Sequence, residues 1–95
     1  MDRLRIHFIT DGKQVMSIVV VQYEAYIDGK WRAIVRFDEA HGFFHRDVMR
    51  PSGKQEKTAL PTADKNVALT EAVKELKEKW RSYRQAYEEM YYDGK

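Results

Sequence analysis

The chain has 95 residues, 43% hydrophobic and 13% aromatic, with 17 Lys and Arg against 15 Asp and Glu. That suffices for one modest core but not two, and it excludes wholesale disorder. A net charge of +2 falls well short of a dedicated nucleic-acid coat.

The longest apolar run, Ile18 to Val21, is far below the roughly 20 residues that cross a bilayer. The first residues lack the apolar stretch and small-residue cleavage site of a signal peptide, and there is no cysteine for a disulfide framework. The expectation is one cytoplasmic domain over 1–95 with no membrane partner. The small excess of cations sits in the first half, where Arg32, Arg36, Arg46, Arg50, Lys54 and Lys57 supply it. They could line one surface; a solvated, solubilising face is the plainer account.

Taken in order, Leu4, Ile6 and Phe8 alternate with Arg3, Arg5 and His7, the period-2 pattern of a half-buried strand. Asp11-Gly12 then predicts a tight hairpin turn. Val15 to Ile27 is the longest strand candidate, and its first half is apolar at odd and even positions alike, as in a strand covered on both faces. Either the sheet curls around itself or a second protomer does the covering. After a second turn at Asp28-Gly29, Trp31, Ala33, Val35 and Phe37 alternate with Arg32, Ile34, Arg36 and Asp38. A turn over Glu39 to Gly42 leads into a fourth strand, Phe43 to Met49, with His45 and Asp47 on one face and Phe44, Arg46 and Val48 on the other. Glu56 to Leu60 offers a short fifth strand.

Pro61 and Thr62 mark the switch to a helix over about 63–92, with Thr62 or Asp64 as its N-cap. Leu69, Val73, Leu76, Trp80, Tyr83, Tyr87 and Met90 recur at heptad-like spacing. Such a helix is roughly 40 Å long, against a sheet about 20–25 Å across. On that comparison the helix overhangs, and its aromatic end (Trp80, Tyr83, Tyr87, Met90, Tyr91) is assigned to a homodimer interface. The expected fold is α+β: an antiparallel meander of four or five strands with one long C-terminal helix on one face.

The chemistry is densest between Arg36 and Asp47, R-F-D-E-A-H-G-F-F-H-R-D. His41 and His45 with Asp38 or Asp47 offer two imidazoles and a carboxylate to a metal. A four-residue spacing across a glycine turn does not bring the two rings together as a helix would, so no metal or other cofactor is assigned. Metal-independent RNA cleavage needs a base, an acid and a cation for the phosphate. His41 and His45 fit the first two roles, Arg36 or Arg46 the third, and Asp38 or Asp47 could orient an imidazole. The plainer account makes Asp38 a turn cap, Arg36 and Asp47 a cross-strand ion pair, and His45 a strand residue bonded to a backbone carbonyl.

The stretch Val35-Arg36-Phe37-Asp38, Ala40-His41-Gly42 and His45-Arg46-Asp47, followed by a charged helix with Trp80, resembles a family of short prokaryotic and archaeal proteins of unknown function. Its pattern is R-[YF]-D-x-x-H-G-x-x-H-x-D. More distantly it is similar to the TumE-type toxins of toxin–antitoxin pairs, whose pattern has a second histidine where Asp47 stands here. The resemblance covers about 23–49 and implies a small sheet-plus-helix protein that contacts RNA or a cognate partner. Two functions follow as expectations. One is a dimeric, toxin–antitoxin-related interaction module in which Arg32, Arg46, Arg50 and Lys54, with Arg36, meet an acidic partner or RNA. The other is a small endoribonuclease built on His41 and His45.

Overall fold

The computed structural model describes residues 1–39, 42–61 and 64–94. Five antiparallel strands lie in sequence order: β1 (Asp2–Asp11), β2 (Gln14–Ile27), β3 (Lys30–Asp38), β4 (His45–Met49) and β5 (Gln55–Ala59). One helix, α1 (Lys65–Asp93), packs on one face. This is the expected α+β meander. Its fourth strand begins at His45 rather than Phe43, and its fifth spans Gln55–Ala59. Asp28 and Gly29 both adopt positive φ, 51° and 85°, which the β2–β3 turn requires and which Asp and Gly tolerate.

Three bulges decide which side chains face the helix. Against β1, Val19 and Met16 are each an extra residue in β2, and against β2, Ile34 is an extra residue in β3. Each bulge resets the alternation of faces. Val15, Ile18 and Val21, three residues apart, thereby share the helix side, with Ile18 and Val21 buried and Val15 half-buried, while Met16 and Val19 are exposed. The apolar first half of β2 is therefore not covered on both faces. The bulge at Ile34 likewise breaks the alternation expected in β3. Val35 and Phe37 face the helix, Trp31 turns to the opposite face beside Tyr26, and Arg32 parts company with Arg36.

Asp64 caps α1, accepting from the backbone N–H groups of Asn66 and Val67 at 2.8 and 3.3 Å. The alternative cap, Thr62, lies outside the described residues. The helix runs along β2. At its start Asn66 Oδ1 accepts from Val15 N at 3.1 Å, and near its end the Tyr91 hydroxyl donates to Asp28 at 2.5 Å. Twenty-nine helical residues span about 44 Å, and the fourteen residues of β2 about 46 Å. The helix matches the strand beneath it and does not overhang. Its buried positions are Ala68, Ala72, Leu76 and Tyr87, with Trp80 packed edge-on against Tyr23 at 6.1 Å. Small residues at 68 and 72 let the backbone approach the sheet closely, with Leu69 and Val73 as half-buried flanks.

Candidate functional site

The helix-free face of the sheet collects polar side chains from all five strands. Register pairs Arg36 with both Gln22 and Asp47, Asp38 with His45, and Asp47 with Lys57, and it sets Arg3 opposite Glu24 and Arg5 opposite Gln22. Directly opposed residues share a face, so these groups form one continuous polar layer.

Two knots within that layer are buried although no helix covers them. In the first, Glu24, 5% exposed, accepts hydrogen bonds from Arg3, Gln22 and Arg5, and these long side chains roof it. Burial pushes its carboxyl up, but the bonds from Arg3, Gln22 and Arg5 outweigh it and hold the group below the usual carboxylate range. In the second, the His45 ring, 1% exposed, lies under the Phe43 ring at 5.2 Å. Its Nδ1 is 3.2 Å from the Phe43 carbonyl, which can only accept, so Nδ1 carries a proton. Its Nε2 faces Asp38 Oδ1 at 3.0 Å, Asp47 Oδ2 at 3.2 Å and Lys57 Nζ at 3.2 Å.

Arg36 stands apart from both knots. The cross-strand ion pair expected with Asp47 does not form, although the register is the one that pairing needs. Arg36 Nε instead donates to Gln22 Oε1 at 2.7 Å, and Asp47 has Lys57 as its cation at 3.6 Å. Among the described residues Arg36 pairs with no carboxylate, and it is exposed. It borders a cleft of about 150 Å³ with Arg5, Val19, Val20, Gln22 and Asp38.

The remaining candidates are dispersed. Arg46 points to the helix side, where both Glu75 oxygens accept from its Nη1 at 3.0 Å, and Tyr83 donates to the same carboxylate at 2.6 Å. Arg32 also lies on the helix side, donating to Ile27 O and stacking on the Tyr91 ring at 4.4 Å. Arg50 and Lys54 close the β4–β5 turn, Arg50 N donating to Lys54 O at 2.8 Å while its guanidinium pairs with Glu56. His41 lies outside the described residues. Of the expected set, the structure thus brings Arg36, Asp38, His45 and Asp47 together on one face and separates them from Arg32 and Arg46. The aromatic end of the helix finds partners within its own chain: Tyr87 is buried, Trp80 and Tyr91 pack on the core, and Met90, 41% exposed, points away.

Sequence reasoning passed over Arg3, Arg5, Gln22 and Glu24 as parts of this layer, and grouped Lys57 only with the cations of the first half. The available signal was the hairpin register, which sets polar positions of β1 against Gln22 and Glu24 of β2.

In comparisons with known proteins, the model of a family described as a domain of unknown function (DUF7718) matches residues 1–92. No curated protein and no solved structure matches the chain.

Proposed function

We propose that this chain, which belongs to the DUF7718 family, is a non-catalytic binding module whose helix-free sheet face docks single-stranded RNA. The observation that carries the proposal is Arg36. Gln22 Oε1 accepts from its Nε, no carboxylate among the described residues pairs with it, and its side chain is exposed beside a cleft. That is the arrangement that receives a phosphate, bidentate and charge-assisted. Arg5, with its side chain 63% exposed, borders the same cleft. Tyr26 and Trp31 lie on the same face, and an open sheet that combines aromatic rings with arginines is the platform on which unpaired bases stack.

Binding is favoured over cleavage because the ring of His45 is 1% exposed and its nitrogens are engaged by Phe43, Asp38, Asp47 and Lys57. A general base must reach the proton it removes. The endoribonuclease reading would require this ring at the phosphate. The helix end lends no support to a homodimer, since Trp80, Tyr87 and Tyr91 pack within the chain.

Fluorescence anisotropy with a short labelled RNA tests the proposal. Arg36→Ala should weaken binding several-fold and flatten the dependence of log K on log salt by about 0.7, one phosphate contact on a single strand. Arg46→Ala, on the other face, should leave the affinity unchanged. Equal affinities for wild type and Arg36→Ala would contradict the proposal.

A further inference from the structure

We propose that Asp38, His45 and Asp47 form a site for a single divalent transition-metal ion, zinc being the best fit. The inference rests on the donor set and its surroundings and stands independently of RNA binding. One atom from each residue, His45 Nε2 and one oxygen from each aspartate, lies within 4.8 Å of the other two. The separations are 3.0 Å from Nε2 to Asp38 Oδ1 and 3.2 Å to Asp47 Oδ2. Ligand bonds of about 2.0–2.1 Å place neighbouring donors roughly 3.3 Å apart around a tetrahedral ion and roughly 2.9 Å apart around an octahedral one. The two distances from Nε2 fall in that interval.

Two further features point to an ion. The Nδ1–H of His45 is committed to the Phe43 carbonyl, which in the neutral ring leaves the Nε2 lone pair directed at the two carboxylates. Such an arrangement calls for a cation, a place that Lys57 Nζ takes at 3.2 Å from Nε2, and it is the tautomer and backing bond that a metal-ligating histidine has. The second feature is Asp47 Oδ1. Asp47 is 4% exposed, and this oxygen accepts no hydrogen bond among the described residues; its nearest cation is Lys57 Nζ at 3.6 Å. A buried carboxylate oxygen without a donor calls for an explanation, and a cation held by both oxygens of Asp47 supplies one. Two carboxylates and a neutral imidazole carry a charge of −2, equal and opposite to that of the ion. The nitrogen donor favours zinc over magnesium or calcium, which take oxygen ligands. Three protein ligands also leave a fourth position for water.

Lys57 is the built-in competitor. Its ammonium sits 3.2 Å from Nε2, in the position a cation would take, on a side chain 36% exposed that can swing outward. Metal binding therefore displaces Lys57, and removing its charge should strengthen the site.

The test is titration of chelator-treated, full-length protein with Zn2+ by calorimetry and with Co2+ by visible absorption, alongside NMR of the histidine rings. The expected result is one-to-one saturable binding that shifts the His45 ring resonances. Asp47→Asn should weaken it at least tenfold, and Lys57→Met should strengthen it several-fold. Should Asp47→Asn not fold, the wild-type NMR and Lys57→Met decide the matter. An absence of one-to-one binding would overturn the proposal. So would an ion that leaves the His45 ring unshifted, or an affinity that Lys57→Met does not raise.

Discussion

Glu24 shows how one buried charge on this face sets the protein's response to acid. Its carboxyl is held below its ordinary value of 4.5 because Arg3, Gln22 and Arg5 outweigh the cost of burial. A depressed folded-state value means that the unfolded chain takes up the proton first, so the stabilisation is complete above about pH 4.5 and is lost as pH falls further. Asp2 adds to this in the same direction, its bonds from Tyr23 and Arg84 overcoming its own burial. Urea midpoints measured from about pH 6 to about pH 3 should fall more steeply for wild type than for Glu24→Gln. Parallel slopes would show that Glu24 titrates alike in both states. At this scale the sequence was partly legible. Asp38, His45 and Asp47 stood out through residue type and period-2 spacing, and their convergence agrees with that pattern. Arg36 and Arg46 looked equivalent in composition, but an even spacing within one strand does not carry across a turn into another. Only the register Phe37↔Arg46 and Arg36↔Asp47 places them on opposite faces.

The helix and the long strand beneath it account for one another at the scale of elements. The buried stripe begins on Ala68 and Ala72, which a search for large apolar residues passes over in favour of Leu69 and Val73. Close packing at these two alanines predicts that Ala72→Leu overfills the interface and destabilises by about 1–3 kcal/mol. For a domain of this size that lowers the thermal midpoint by roughly 4–8 °C per kcal/mol. Ala86→Leu, on an exposed helix position, should leave the midpoint within about 4 °C. Calorimetry of the two variants checks both values, and equal midpoints would mean that residue 72 is not tightly packed. Strand number, turns and the helix were readable from alternation, Asp-Gly dipeptides and capping residues. The bulges at Met16, Val19 and Ile34 were not, because a bulge arises from a mismatch between two strands and neither strand's own sequence displays it. The comparison of helix length with sheet width also misled: α1 lies along β2, so strand length is the relevant measure.

Across the whole molecule, labour is divided between the two faces of one sheet. The helix side holds the core and ties up Arg32 and Arg46 in hydrogen bonds to Ile27, Tyr91 and Glu75. The other side holds two buried polar knots and, between them, an exposed Arg36 that neither knot neutralises. Among the described residues no helix is long and apolar enough to cross a membrane. The account therefore turns on which face meets a ligand, and amide NMR of the full-length protein titrated with a short mixed-sequence RNA at two salt concentrations reads this most directly. Shifts centred on Arg5, Gln22, Tyr26, Trp31 and Arg36 that weaken as salt rises are the predicted result. Shifts confined to α1, or none at the lower salt, would contradict it.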